Sequence, residues 1–385
     1  MPDEILPYGR QWIDDDDVEA VVAALRGDYL TTGPRVADFE ASLARAVGAE
    51  HAIAVANGTA ALHTACAAAG LGPGDEVLVP ALTFLASANC ARYVGAEPVF
   101  VDVDPDSGLI DLDDAARRVS PRTRAIIPVH LNGRPADLDA VAALAEAHGL
   151  TVIEDAAHAL GASHGATTIG DCARSAMAIF SFHPVKHVTT GEGGAITTND
   201  PALAEAMARF RNHGMVRDAD ALRSPSPGPW YYEQQALGFN YRITDIQCAL
   251  GISQMAKLER FVARRRALAA RYDERLAAVD GVEPVAVGTP NTRSAYHLYA
   301  VLIDFERLGH SRAELVASLR ARGILTQVHY IPVPSQPYYV DRGTDPSAYP
   351  GAQAYYARAL SVPLYPAMTD ADVDRVVEAL AACLA

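Results

Sequence analysis

From residue 51 onward the chain alternates short apolar runs with helical patterns, and this rhythm restricts it to few architectures. The runs 51–56, 76–80, 98–103, 125–130 and 151–155 are rich in Val, Ile, Leu and Ala and read as strands. Helical stretches at 59–69, 84–94, 111–119 and 136–148 separate them, the last ending at Gly149. Near-continuous apolar strands joined by helices indicate an α/β fold, with a mostly parallel sheet covered on both faces. Such sheets bind ligands beyond the carboxyl ends of their strands, so the residues just after each run are where chemistry is expected.

The remainder suggests a second layer of organisation. A short strand at 196–198 leads into a helix near 201–211. The proline-rich segment 223–229 reads as a surface loop or flap. A long helical pattern over 245–276 places Ile246, Leu250, Met255, Leu258 and Phe261 at helical spacing. It is read as the bridge into a second domain with a strand at 296–303, a helix at 312–322, a strand at 326–330 and a terminal helix at 370–383. The expected division is a large domain, 1–250, carrying an N-terminal arm, and a smaller C-terminal α/β domain, 251–385. With 385 residues, half of them hydrophobic, the chain has apolar material for both cores.

Composition excludes several functions. Lys and Arg total 32 against 47 Asp and Glu, and a formal charge of −15 argues against general nucleic-acid binding. The five cysteines, Cys66, Cys90, Cys172, Cys248 and Cys383, contain no C-x-x-C pair and read as reduced thiols of a cytoplasmic protein. The first residues lack the basic start and apolar core of a signal peptide, and the longest apolar stretch, 52–71, is too broken by polar residues for a membrane span. The acidic run Asp14–Asp17 precedes a helical pattern and suits a helix N-terminus; adjacent side chains diverge on a helix, so no metal site is expected from it.

Four features after predicted strands bear on chemistry. Asn57-Gly58-Thr59-Ala60 ends one strand and opens a helix, where free amides and the Thr59 hydroxyl outline a phosphate seat; the same residues also make an ordinary helix start. Phe84 follows the strand 76–80 and either caps a flat ring or packs in the core. Asp155 closes the strand 151–155, where a buried carboxylate needs a cationic partner or backbone amides, and His158 follows three residues later. Lys186 lies in Phe180-Ser181-Phe182-His183-Pro184-Val185-Lys186, ahead of the glycine-rich turn Gly191-Glu192-Gly193-Gly194, with Ser181 at the strand end as a further phosphate donor. A lysine kept as its amine can attack a carbonyl; a lone loop lysine is otherwise solvated surface. A metal site from Asp155, His158 and His164 lacks a further ligand and is not expected. Phosphate seat, aromatic cap, buried carboxylate and lysine together suit one cofactor, pyridoxal 5'-phosphate (PLP).

Several of these motifs, with Gly238-Phe239-Asn240-Tyr241-Arg242 and Tyr29-Leu30-Thr31-Thr32-Gly33-Pro34, resemble the sugar-nucleotide aminotransferases of the DegT/StrS group across nearly the whole chain. That group has the fold-type I, aspartate-aminotransferase-like architecture. Within it, the run around Lys186 is most similar to the pseudaminic-acid branch, which aminates C4 of a UDP-linked 4-keto-6-deoxy-N-acetylhexosamine with L-glutamate as donor and 2-oxoglutarate as product. The resemblance implies that Lys186 binds the cofactor covalently and moves the proton, that Asp155 pairs with the pyridine nitrogen, and that His158 lies near the ring hydroxyl. It implies Gly58, Thr59, Ala60 and Ser181 at the phosphate, and Phe84 on the ring. Asn240 would reach the cofactor of the other subunit in a homodimer with shared sites. Tyr8, Thr32, His329 and Tyr330 would line the sugar pocket. Two alternatives keep the cofactor: a sugar dehydratase or 3-aminotransferase on another nucleotide-hexose, and a PLP-binding regulatory protein without turnover. A nicotinamide dehydrogenase is a poor fit, because Gly191-Glu192-Gly193-Gly194 lacks the G-x-G-x-x-G pattern and precedes a strand.

Overall fold

A computed structural model describes residues 5–286 and 291–384. Its centre is a seven-stranded sheet in the order His51–Val55, Gly194–Thr198, Met177–Ser181, Thr151–Asp155, Thr123–Ile126, Glu76–Pro80, Glu97–Val101. All strands run parallel except Gly194–Thr198, which is antiparallel to both neighbours. The α/β expectation therefore holds, with one reversed strand. That reversal matters for the site: Gly194 pairs with both Val55 and Ser181, so the loop from 182 to 193 turns over the carboxyl edge of the sheet, next to residue 56.

Local chemistry sets the helix boundaries around this sheet. Asn57, Asp137 and Asp200 cap Gly58–Ala68, Leu138–His148 and Pro201–Phe210 through their side chains. Gly149 takes the left-handed conformation that closes Leu138–His148. The helix Gly58–Ala68 buries every residue from Ala60 to Cys66, because it sits against the strands Met177–Ser181 and Gly194–Thr198 and two flanking helices. Cys66, Cys90, Cys172 and Cys248 are buried free thiols, packed as small hydrophobes.

The helical pattern at 245–276 is two helices, Asp245–Met255 and Leu258–Leu276, interrupted at Lys257. The Lys257 side chain reaches Asp14 and Asp17, with Nζ 2.9 Å from Asp17 Oδ1. Asp17 is fully buried and also accepts from Gln254 Nε2 at 2.7 Å. Asp17 thus ties the helix Asp15–Leu25 to Asp245–Met255 through Gln254, Asp14 holds Lys257 and Arg260 beyond it, and Asp15 and Asp16 stay in the first turn of the helix.

A second sheet, Val282–Pro284, Tyr299–Ile303 and Ala359–Val362, is antiparallel and packs with Leu268, Leu319, Val373 and Leu380 into a separate core. Leu6 joins that core and pairs with Ile324. The strand expected at 326–330 does not form: Gln327 makes a single bridge to Ser361, and the chain then turns away to bring His329 and Tyr330 to the large sheet's edge. The proline-rich loop folds on itself, with the Glu233 carboxylate accepting from the amides of Arg223 and Ser224 at 2.8 and 2.9 Å. No helix among the described residues is long and apolar enough to cross a membrane.

Candidate active site

A cavity of about 950 Å³ opens at the carboxyl edge of the large sheet. It gathers Gly58, Thr59, Ala60, Phe84, Asp155, His158, Ser181 and Lys186, together with Tyr8, His329 and Tyr330. Thr32 and Asn240 are not part of it. Thr32 is exposed, in a left-handed turn (φ 56°) with its hydroxyl bonded to the Thr31 carbonyl. Asn240 is exposed and joins Asn212 through the backbone.

Asp155 is buried at the strand end. Its Oδ2 accepts from Ser87 Oγ at 2.6 Å, and its Oδ1 from the Ala157 amide at 3.2 Å. Ser87 also bonds Thr83 Oγ1 at 2.7 Å. No salt bridge reaches Asp155 among the described residues, so this buried carboxylate has neutral protein partners only and room for a cation on the cavity side.

Lys186 faces the cavity, and burial pushes its pKa down to about 8, against the opposing charge of Asp155. Its Nζ lies 3.4 Å from Nε2 of His297. Three buried imidazoles surround it. His158, His187 and His297 are all held well below the usual histidine range by burial; Lys186 lowers each further, and Arg265 is the larger charge at His187. His329 is pushed down to about 3 by burial and by Lys186. The lysine therefore sits among neutral rings that compete weakly for its proton. His158 Nε2 lies 3.1 Å from the Tyr330 hydroxyl, and its buried Nδ1 has no partner among the described residues.

The segment expected to seat a phosphate lies at the start of Gly58–Ala68. The Ala60 amide is spent on Asn57 Oδ1 at 2.8 Å, whereas those of Gly58 and Thr59 make no backbone hydrogen bond. A Cβ at position 58 would lie 3.0 Å from Ser181 Cβ and 3.3 Å from its Oγ, so the helix start and Ser181 approach closely. Ser181 thus stands against the helix N-terminus, where an anion is favoured by the dipole and by free N–H groups. Phe84 is exposed over the cavity with its ring 6.0 Å from that of Tyr330. His164 is remote from this group; it lies 3.7 Å from Asp137 and 3.9 Å from Asp139.

These features match a phosphorylated pyridine ring: a helix N-terminus for the phosphate, an uncompensated buried carboxylate for a cationic nitrogen, and a lysine with a depressed pKa. The model of the DegT/DnrJ/EryC1/StrS aminotransferase family matches residues 11–381. The chain belongs to this family. It is 40% identical to SpsC, a spore coat polysaccharide biosynthesis protein of Bacillus subtilis (strain 168), over 97% of this chain and 96% of SpsC. Among solved structures it resembles Spr1654 of Streptococcus pneumoniae in its PLP form (TM-score 0.90, 29% identity, covering 99% of this chain and 98% of that one). It also resembles Helicobacter pylori PseC, an aminotransferase involved in the biosynthesis of pseudoaminic acid (TM-score 0.91, 29% identity, covering 99% of both chains). As a member of the family, the chain is an aminotransferase.

His297 was not expected from the sequence. It lies two residues before the buried apolar strand Tyr299–Ile303, and nothing local marks it as different from a core histidine.

Proposed function

We propose that this DegT-family aminotransferase moves the amino group of L-glutamate to a keto-deoxy nucleotide sugar, at C4 of a UDP-4-keto-6-deoxy-N-acetylhexosamine. PLP is its cofactor. Bound there, PLP supplies the electrophilic aldehyde and the electron-withdrawing ring that transamination needs. The observation that carries the reading is the pairing in one cavity of Lys186, with its lowered pKa, and Asp155, buried without a cation. Asp155 would hold the ring nitrogen protonated. Lys186 would bind the cofactor covalently and, once free, carry the α-proton as base and then acid. Gly58, Thr59 and Ser181 would take the phosphate, Phe84 would lie on the ring, and His158 would face its hydroxyl.

Tyr8, His329 and Tyr330, which line the same cavity, would border the sugar. Thr32 and Asn240 would act across a homodimer interface. In support, the exposed Asn240 lies next to Leu237 and Phe239, exposed apolar side chains that a second copy would cover. A panel of 4-keto and 3-keto UDP-, dTDP- and GDP-sugars with glutamate, with products identified by mass and NMR, tests the substrate. Amination of a dTDP- or GDP-sugar in preference to the UDP-sugar, or at C3, would remove the specific assignment. Light scattering tests the dimer.

A further inference from the structure

His297 is the side-chain hydrogen-bond partner of Lys186 Nζ among the described residues, with Nε2 3.4 Å away. Its Nδ1 is buried without a partner among the described residues, so within them Lys186 is the one group with which this ring exchanges a hydrogen bond. The ring lies close to His158, tilted against it with centroids 4.3 Å apart, and 5.7 Å from His187.

The backbone around His297 is held by unusual means. Tyr296, just before it, has φ 48°, a left-handed conformation that costs a non-glycine residue on the order of 1 kcal/mol or more. Gly133 (φ +90°) approaches so closely that a Cβ would lie 2.7 Å from the His297 amide nitrogen and 2.8 Å from both the Tyr296 nitrogen and the His158 carbonyl. The Gly133 carbonyl accepts from the Ala295 amide at 2.9 Å and the Ser294 hydroxyl at 3.0 Å. Arg265, fully buried, donates through Nη1 to the carbonyls of His297 (3.1 Å), Tyr296 (3.3 Å) and Leu364 (2.9 Å) and makes no salt bridge among the described residues. A buried guanidinium facing carbonyls alone is costly, as is the strained Tyr296, and both fall on the residues that set the His297 ring.

We infer that His297 is a positioning residue for Lys186: Nε2 accepts one N–H of the ε-amine and aims the amine's lone pair into the cavity. The inference rests on the function proposed above. Accepting suits both charge states, since ammonium and amine each have an N–H to give, and a neutral amine bound this way keeps its lone pair free. No proton passes to His297, whose burial and cationic neighbours Lys186 and Arg265 keep it neutral. The Nε2 acceptor role places the ring proton on Nδ1.

The full-length protein, stripped of cofactor, supplies the test. PLP is added at several pH values, the covalent adduct is fixed with borohydride, and its position and rate of formation are read by peptide mass. His297→Phe keeps a flat ring without an acceptor; His297→Gln restores an acceptor. Capture at Lys186 is expected to slow roughly tenfold in the Phe variant and by less than about threefold in the Gln variant, with a matching fall in kcat and little change in KM for glutamate. Capture by the Phe variant at the wild-type rate, or an equal loss in both variants, overturns the inference. If the Phe variant does not fold, His297→Ala takes its place, with the same comparison to Gln deciding. A wild-type adduct at any position other than 186 sinks the functional reading itself, whereas a wild-type adduct at 186 that no His297 substitution slows sinks this inference alone.

Discussion

Replacing Asp155 with Asn separates two roles that this carboxylate could play, because they predict changes of opposite sign. Asp155 is the charge that raises the pKa of Lys186 against burial. Removing it lowers that pKa further, below about 8. At pH 7.5 a lysine of pKa about 8 is unprotonated about a quarter of the time, against about one part in a thousand for an ordinary lysine. The variant can therefore gain at most about fourfold in free amine. If Asp155 acted only through Lys186, Asp155→Asn would be slightly faster at neutral pH. If it holds a protonated ring nitrogen, one partner of a buried charge pair is lost, at a cost of about 3–5 kcal/mol, or about 10²–10⁴ in kcat. Ser87 Oγ and the Ala157 amide remain to hydrogen-bond the Asn, so the fold should survive. Two measurements decide. The pH midpoint of PLP capture by the cofactor-free variant should fall, and steady-state transamination should drop by at least a hundredfold. A variant with kcat within threefold of wild type, or with a capture midpoint that rises, would refute the assignment.

Gly58→Ala places a methyl 3.0 Å from Ser181 Cβ in the phosphate seat. It should weaken PLP binding about tenfold in a spectroscopic titration, with little loss of melting temperature because Ala favours the helix. Tyr330→Phe deletes the 3.1 Å hydrogen bond to His158 Nε2 and leaves both nitrogens of that buried ring without a protein partner. Denaturant unfolding should show a loss of about 1–3 kcal/mol. Lys257→Met leaves the buried Asp17 and its neighbour Asp14 without their shared cation. It should destabilise the protein by about 3 kcal/mol while leaving the rate of PLP capture at Lys186 unchanged, a combination that urea titration and adduct mapping together would check.

What could be read along the sequence, and what could not, divides according to the range of the forces involved. The strands ending at Pro80, Asp155 and Ser181 are buried on both faces or nearly so, and burial of that kind writes itself as an unbroken apolar run. Because a sheet collects whatever follows its carboxyl edge, Gly58, Phe84, Asp155 and Lys186, each following a separate run, line one cavity. The failures share the opposite property. The helix break at Lys257 coincides with ion pairs to Asp14 and Asp17, some 240 residues earlier, and a helical pattern that continues on both sides gives no sign of it. The segment at 326–330 has a strand-like composition but meets the strand Ala359–Val362 only through the single bridge of Gln327 to Ser361, so its propensity extends into no ladder. His297 is the sharpest instance. Its role follows from a 3.4 Å approach to a residue 111 positions away, and from a guanidinium and a glycine on two further segments that fix its backbone. None of these contacts leaves a periodicity or a motif, because each is a single side chain placed by the tertiary fold. A sequence reading of this site therefore finds groups that announce their chemistry by type and position, and misses those that serve by holding another residue in place.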